Sequence, residues 1–162
     1  PYTRRVVARV FGNHPDLDTV TPLVLAIKDQ ISFVAKAAVQ SLGKFQLPST
    51  LPFLLEAITD FRPITVRTVD EHHVAMSAIN VIIEFQTEES HNIVLNWAIE
   101  NLQHDTDCIV RFAIEKLEEL KDPRAIPYLE QKLNSLDPHS VVPVDHLSRA
   151  INIIETHQNE NP

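Results

Sequence analysis

"FVAKAAVQSLGKFQLPSTLPFLLEAITD", residues 33–60, decides the fold. A helix carrying small residues breaks at a Pro-marked turn and hands over to a second, Leu-rich helix. The phrase returns as "IVRFAIEKLEELKDPRAIPYLEQKL" over residues 109–133. Ala35, Ala38, Leu42, Phe45, Pro48, Leu51, Pro52, Leu54 and Ile58 fall on Val110, Ala113, Leu117, Leu120, Pro123, Ile126, Pro127, Leu129 and Leu133, at a constant offset of 75. The spacing before the break puts these side chains on one helix face. Proline at the break suits the first turn of the next helix, where its missing N–H costs nothing.

An intermediate copy lies between the two. Ala75, Ala78, Ile82 and Phe85 match Ala35, Ala38, Leu42 and Phe45 at an offset of 40. Leu147, Ala150 and Ile154 give a further match near the end, and Val7, Phe11 and Gly12 sit over Ala38, Leu42 and Gly43 at an offset of 31. The pattern predicts leading helices at 18–28, 48–59, 89–103 and 123–136. It predicts following helices at 34–45, 71–85, 108–120 and 145–157, with an orphan following helix at 3–11. One hairpin of this size cannot bury its apolar face alone, whereas stacked copies share a continuous core. The expected fold is therefore all-α, an α-solenoid of about four helical hairpins plus the orphan helix, forming a single repeat domain over 1–157 with a polar tail at 158–162. Because the first residue is Pro1 and the orphan helix lacks a leading partner, any missing sequence is expected to be N-terminal.

Composition removes several function classes. The chain has 162 residues and a formal charge of −8, which disfavours nucleic acid and anionic lipid. No apolar run approaches the ~20 residues needed to span a bilayer. Cys108 is the only cysteine, so neither a disulfide framework nor a thiolate zinc site can form within one chain. That usage fits a reducing, cytoplasmic setting. Two glycines are too few for glycine-rich phosphate loops or dinucleotide fingerprints.

The phrases "IPYLEQKLNSLD", "VRFAIEKLEELKDP", "LPFLLEAITD" and "AKAAVQSLGKFQLP" resemble HEAT repeats, specifically the short bacterial type named after phycobilisome lyases. The resemblance covers about residues 3–157. It implies a HEAT-like superhelix and leaves several roles open. Relatives of this type include phycobilin lyase subunits, phycobilisome turnover factors, and scaffold or regulatory modules. The family's Arg after Val is matched by Arg111, with Lys36 its nearest counterpart elsewhere. In longer HEAT repeats an Asp in the turn pairs with a basic residue early in the next helix, and Asp105 with Arg111 is the candidate here. Asp29, Asp60 and Asp137 read as turn-closing residues.

No residue set points to catalysis. "DEHH" at residues 70–73 is the densest group of potential metal ligands, but neighbours on a helix do not share a face, and capping explains the two carboxylates. Cys108, at a helix start, has no diagnostic base partner. We therefore expect no catalytic, cofactor or metal residues. The position two residues past the buried alanine points away from the core, and it holds Gln40, Asn80, Glu115 and Asn152, polar in all four copies. Two insertions fall within repeats, "FRPITVRTVD" and "DPHSVVPVDH", and the first brings Arg62 and Arg67 beside apolar residues. The expected function is a non-catalytic protein-binding scaffold that contacts its partner through Arg62, Arg67, Gln40, Asn80, Glu115 and Asn152. The alternative implied by the resemblance is a phycobilin lyase subunit or turnover factor, whose partner would be a tetrapyrrole-carrying protein. Were the chain an enzyme, a bilin lyase-type activity would be the one implied.

Overall fold

A computed structural model describes residues 1–14, 16–59, 70–136 and 144–160, with the side chains of residues 17, 59 and 70–73 left aside. The helices are α1 (Tyr2–Phe11), α2 (Leu17–Ile27), α3 (Ser32–Gly43), α4 (Leu51–Thr59), α5 (Asp70–Ile83), α6 (Glu88–Asn101), α7 (Asp107–Leu120), α8 (Ile126–Asn134) and α9 (Val144–Glu160). Two short 3-10 turns, Pro48–Thr50 and Pro123–Ala125, lead into α4 and α8. The described residues contain no strand, and every helix expected from the repeat is present. The expected ends differ by up to three residues; α9 runs on through polar residues to Glu160. Proline enters at the first position of each 3-10 turn, where no donor is lost.

The chain divides into two compact units, Pro1–Ser90 and His91–Pro162. In the first, α3 lies between α1 and α5, while α2 packs on α3 and α4 on α5. In the second, α9 packs on α7 and α8. There α6 meets α7 through Trp97, whose ring stands edge-on to Phe112 at 5.7 Å between centroids. No described helix is long and apolar enough to cross a membrane.

The repeat arithmetic holds at the level of single side chains. Ala38, Ala78, Ala113 and Ala150 are each 0% exposed, and so are Leu42, Ile82, Leu117 and Ile154 one turn later. An alanine at the first position lets two helices close on one another, and the branched residue then fills the layer between them. The backbone repeats as well. Gln46, Gln86 and Lys121 hold left-handed φ values of 50°, 51° and 52°, and they are related by the same offsets of 40 and 75. Each ends its following helix and turns the chain toward the next leading helix.

Both glycines mark close approaches within the first unit. A Cβ on Gly43 would lie 2.5 Å from Cγ1 of Val81, and one on Gly12 would collide with Ser41. Gly12 and Gly43 are equivalent at the offset of 31, and Ser41 and Val81 at the offset of 40. The α1–α3 and α3–α5 contacts are thus successive copies of one packing step. In the second unit, the residue equivalent to Gly43 is Glu118, which accepts a hydrogen bond from Arg149 Nη2 at 2.9 Å. A charged pair between α7 and α9 stands where the first unit uses bare backbone.

One position departs from its register. Val7 was aligned with Ala38 but is 42% exposed, and Tyr2, Val6 and Val10 are exposed beside it. The register is sound, because Ala8 beneath it is buried and its carbonyl accepts the Ser41 hydroxyl at 2.8 Å. Among the described residues, α2 packs on α3 and α4 on α5, and no helix is placed in the same way over the outer side of α1.

Two stability outcomes are expected. Leu42→Ala or Leu117→Ala should cost about 2–5 kcal/mol in chemical denaturation, whereas a change at exposed Leu25 should stay within ~0.5 kcal/mol. Gly43→Ala should cost about 1–3 kcal/mol by overpacking. That cost should shrink when measured in a Val81→Ala background, and additive losses would mean that the Gly43–Val81 approach is not the source.

Candidate partner-binding groove

Gln40 and Asn80 are exposed, although each follows directly on the fully buried pairs Ala38–Val39 and Ala78–Ile79. A step of about 100° per residue carries the side chain from the core to the open face within two positions. α3 presents Lys36, Gln40 and Lys44 at four-residue intervals, so they form a ridge with ~6 Å between steps. Asn80 and Glu84 run alongside on α5. Arg9 on α1 occupies the same register as Gln40 through the offset of 31.

These side chains surround one shallow groove of about 500 Å³. Its floor is Ala37, Ser41, Ser77 and Val81, all buried. Ser41 is spent on the Ala8 carbonyl, so it braces α1 against α3 and does not face a ligand. Lys44 Nζ donates to Asn13 Oδ1 at 3.1 Å. Arg9, Lys36, Gln40 and Asn80 make no side-chain hydrogen bond or ion pair among the described residues. Three cations and one carboxylate line the groove, on a chain of formal charge −8.

The other two expected residues belong to the second unit. Asn152 lines a groove of about 510 Å³ with Lys121, Arg149, Asp145 and Glu160, where the charges balance. Arg149 is held by Glu118. Glu115 does not line that groove. It lies 3.6 Å from Nζ of Lys116, a buried lysine that also binds Glu119 at 2.5 Å and sits 5.1 Å over the Phe112 ring. Of the expected partner-binding residues, Gln40 and Asn80 therefore line one groove, while Asn152 lines another in which Glu115 takes no part. Arg62 and Arg67 lie outside the described residues, as do residues 137–143 of the second insertion. Arg9 was missed as a groove residue. Its signal was the same offset that aligned Val7 with Ala38, followed two residues further.

The interhelix aspartate link also falls elsewhere than expected. The described turn aspartates that bond across to a basic residue are Asp29 and Asp122. Asp29 accepts from Arg4 Nε at 2.7 Å and from the Ile31 amide at 2.9 Å, tying α1 to the α2–α3 turn. Burial pushes its carboxyl up, but the Arg4 and Ile31 hydrogen bonds outweigh that and hold it low. Asp122 caps the turn before α8 by accepting the Arg124 amide at 2.9 Å, while Arg124 Nη2 reaches its other oxygen at 2.6 Å. His91 Nε2 lies 2.8 Å from the same carboxylate, and Arg124 continues to Asn92 Oδ1 at 2.9 Å. The turn after α7 is thereby pinned to the start of α6. The Arg124 hydrogen bonds hold the Asp122 carboxyl far below its ordinary value against the opposing effect of burial, and the His91 contact adds to them. Asp105 could not fill this role, because it is exposed and does not immediately precede a proline-led turn.

Among the described residues, no group of three or more His, Cys, Asp or Glu side chains could hold a metal ion. Cys108 is exposed in the first turn of α7. The side chains of residues 70–73 lie outside the description.

Residues 1–75 match the family described as HEAT repeats. That stretch, just under half of the chain, is what is similar to HEAT repeats. A sequence comparison with characterised proteins found no match. Among solved structures, the complex of CpcE and CpcF of phycocyanin lyase from Nostoc sp. PCC7120 aligns over 94% of this chain and 73% of its own, at 15% identity and a TM-score of 0.35. The matched segment ends within α5, so it contains Arg9, Lys36, Gln40 and Lys44, while Asn80 and Glu84 lie just beyond it.

The Asp122 link has a pH signature. Its folded carboxyl is depressed below the ordinary 3.8, so its contribution is present above about pH 4 and is lost as the pH falls toward the folded value. Asp122→Asn should lower stability at neutral pH by about 1–3 kcal/mol. It should also flatten the decline between about pH 4 and pH 2, read by denaturant titration across pH. An unchanged acid limb would mean that other carboxylates carry it.

Proposed function

We propose that the chain is a protein-binding repeat module whose first unit receives its partner in the groove of α1, α3 and α5. The observation that carries this reading is the row Arg9–Gln40–Asn80. Three polar side chains at one repeat register converge on a single groove, and none is committed elsewhere among the described residues. A solvated helix face needs only to be polar. It does not need its polar groups gathered from three helices onto a floor of small buried side chains. A stack of helical hairpins supplies this kind of surface, since each neighbour adds one ridge to a continuous face. Arg62 and Arg67 are proposed to add to the same interaction, and a cytoplasmic setting is proposed from the single unpaired cysteine.

Site-specific photo-cross-linking tests the groove. A benzoyl-phenylalanine at position 40 or 80 should capture the same protein from the source cell extract, whereas one at Thr21 on α2 should not. Excess unlabelled chain should suppress that capture, and excess chain carrying Gln40→Arg and Asn80→Arg should not. Equal capture from Thr21, or suppression by both competitors alike, would place the binding surface elsewhere. The lyase-subunit reading rests on the repeat phrases alone. Phycocyanobilin titration read by visible absorbance tests it, and no spectral change with or without a phycobiliprotein counts against it.

A further inference from the structure

The charge in the groove of α1, α3 and α5 is not evenly spread. Arg9, Lys36 and Lys44 lie on the α1–α3 side, and Glu84 lies on α5. The chain as a whole is acidic, yet this face carries a local excess of positive charge. The cations are exposed or half-exposed, so none of them builds a desolvated pocket for a lone anion. A single carboxylate would gain little there. Several carboxylates in series on one segment would gain from all three together.

Between the charged groups stand two amides. Gln40 and Asn80 each offer both donors and an acceptor. A phosphate or sulfate could use only the donors, leaving the amide oxygens idle. A peptide backbone uses both, because it alternates N–H and C=O groups at the spacing of an extended chain. The groove runs across three neighbouring helices, whose axes lie ~9 Å apart, so the distance from Arg9 to Glu84 is on the order of 18 Å. At about 3.3 Å per residue, five or six extended residues span it.

Resting on the protein-binding reading above, we propose that this groove takes an extended acidic segment of the partner protein. Its carboxylates lie over Arg9, Lys36 and Lys44, its backbone is hydrogen-bonded by Gln40 and Asn80, and its end at Glu84 is neutral or basic. The floor permits the approach, because Ala37, Ser41 and Ser77 are small enough for a backbone to lie across them. The polarity follows from Glu84: a uniformly acidic strand would meet a like charge at one end, while a strand that changes character along its length would not.

The test uses the whole chain and four fluorescein-labelled probes read by anisotropy. These are a six-residue peptide with glutamates in one half and Ser, Gly and Lys in the other, its counterpart with lysines for the glutamates, a uniformly acidic hexaglutamate, and a single-stranded DNA oligomer. The half-acidic peptide should bind most tightly and the lysine peptide least. Raising the salt from low to physiological should weaken acidic-peptide binding, because exposed charges are screened within about 8 Å. Arg9→Glu with Lys36→Glu should weaken it roughly tenfold or more and flatten its salt dependence. Gln40→Ala with Asn80→Ala should weaken it while leaving the salt dependence in place. Circular dichroism of each variant confirms that the helices persist, which is expected because all four side chains project from the surface. Equal binding of the acidic and lysine peptides, no response to the Arg9–Lys36 reversal, or tighter binding of the DNA overturns the proposal. If the peptides fail while positions 40 and 80 still cross-link the same protein, the protein-binding reading stands and the acidic segment is wrong. If cross-linking fails as well, both are wrong.

Discussion

Close approach between helices at a buried alanine is the contact on which the rest of this structure depends. Ala38, Ala78, Ala113 and Ala150 are wholly buried, and each is followed one turn later by a fully buried Leu or Ile. A larger side chain at the alanine position would hold the helices apart and open the layer that the Leu or Ile fills. Each such layer buries on the order of 2 kcal/mol per large aliphatic side chain, which no isolated hairpin could collect. In the first unit the two glycines carry the approach further, to the point where α3 meets Val81 without a Cβ between them. The second unit reaches a comparable end through the Glu118–Arg149 pair, a weaker device because Arg149 remains largely solvated.

The same constraint places the groove. Once Ala38 and Ala78 face the core, Gln40 and Asn80 must face away from it. Because α1, α3 and α5 lie side by side, their outward residues become neighbours. The chemistry of the outward surface is then a matter of what decorates an imposed face. In the first unit, that face carries uncommitted amides and an excess of cations. In the second, Glu115 is drawn toward buried Lys116 and the Asn152 groove is balanced in charge. One repeat scaffold thus presents two chemically different surfaces. The aspartate links work on a different level, since Asp29 ties α1 to the turn before α3 and Asp122 ties the turn before α8 to the start of α6.

The sequence by itself determined the helices, their pairing and the buried register. These depend on local periodicity and on a repeated small-residue position, and both survive reading one chain linearly. It also determined which residues leave the core, and so it found Gln40 and Asn80. It did not reveal the left-handed turn residues Gln46, Gln86 and Lys121, because glutamine and lysine carry no turn signal of their own and adopt that backbone only when the packing on either side demands it. The Asp122 network likewise needed the tertiary structure, since His91 and Asn92 lie about thirty residues away along the chain. So did the exposure of Val7, whose register predicted burial, and the pairing of Glu115 with Lys116. Membership of one register is a local property that a sequence can show. Membership of one groove depends on which helices lie side by side and on which neighbours have already claimed a side chain, and only the folded chain decides that.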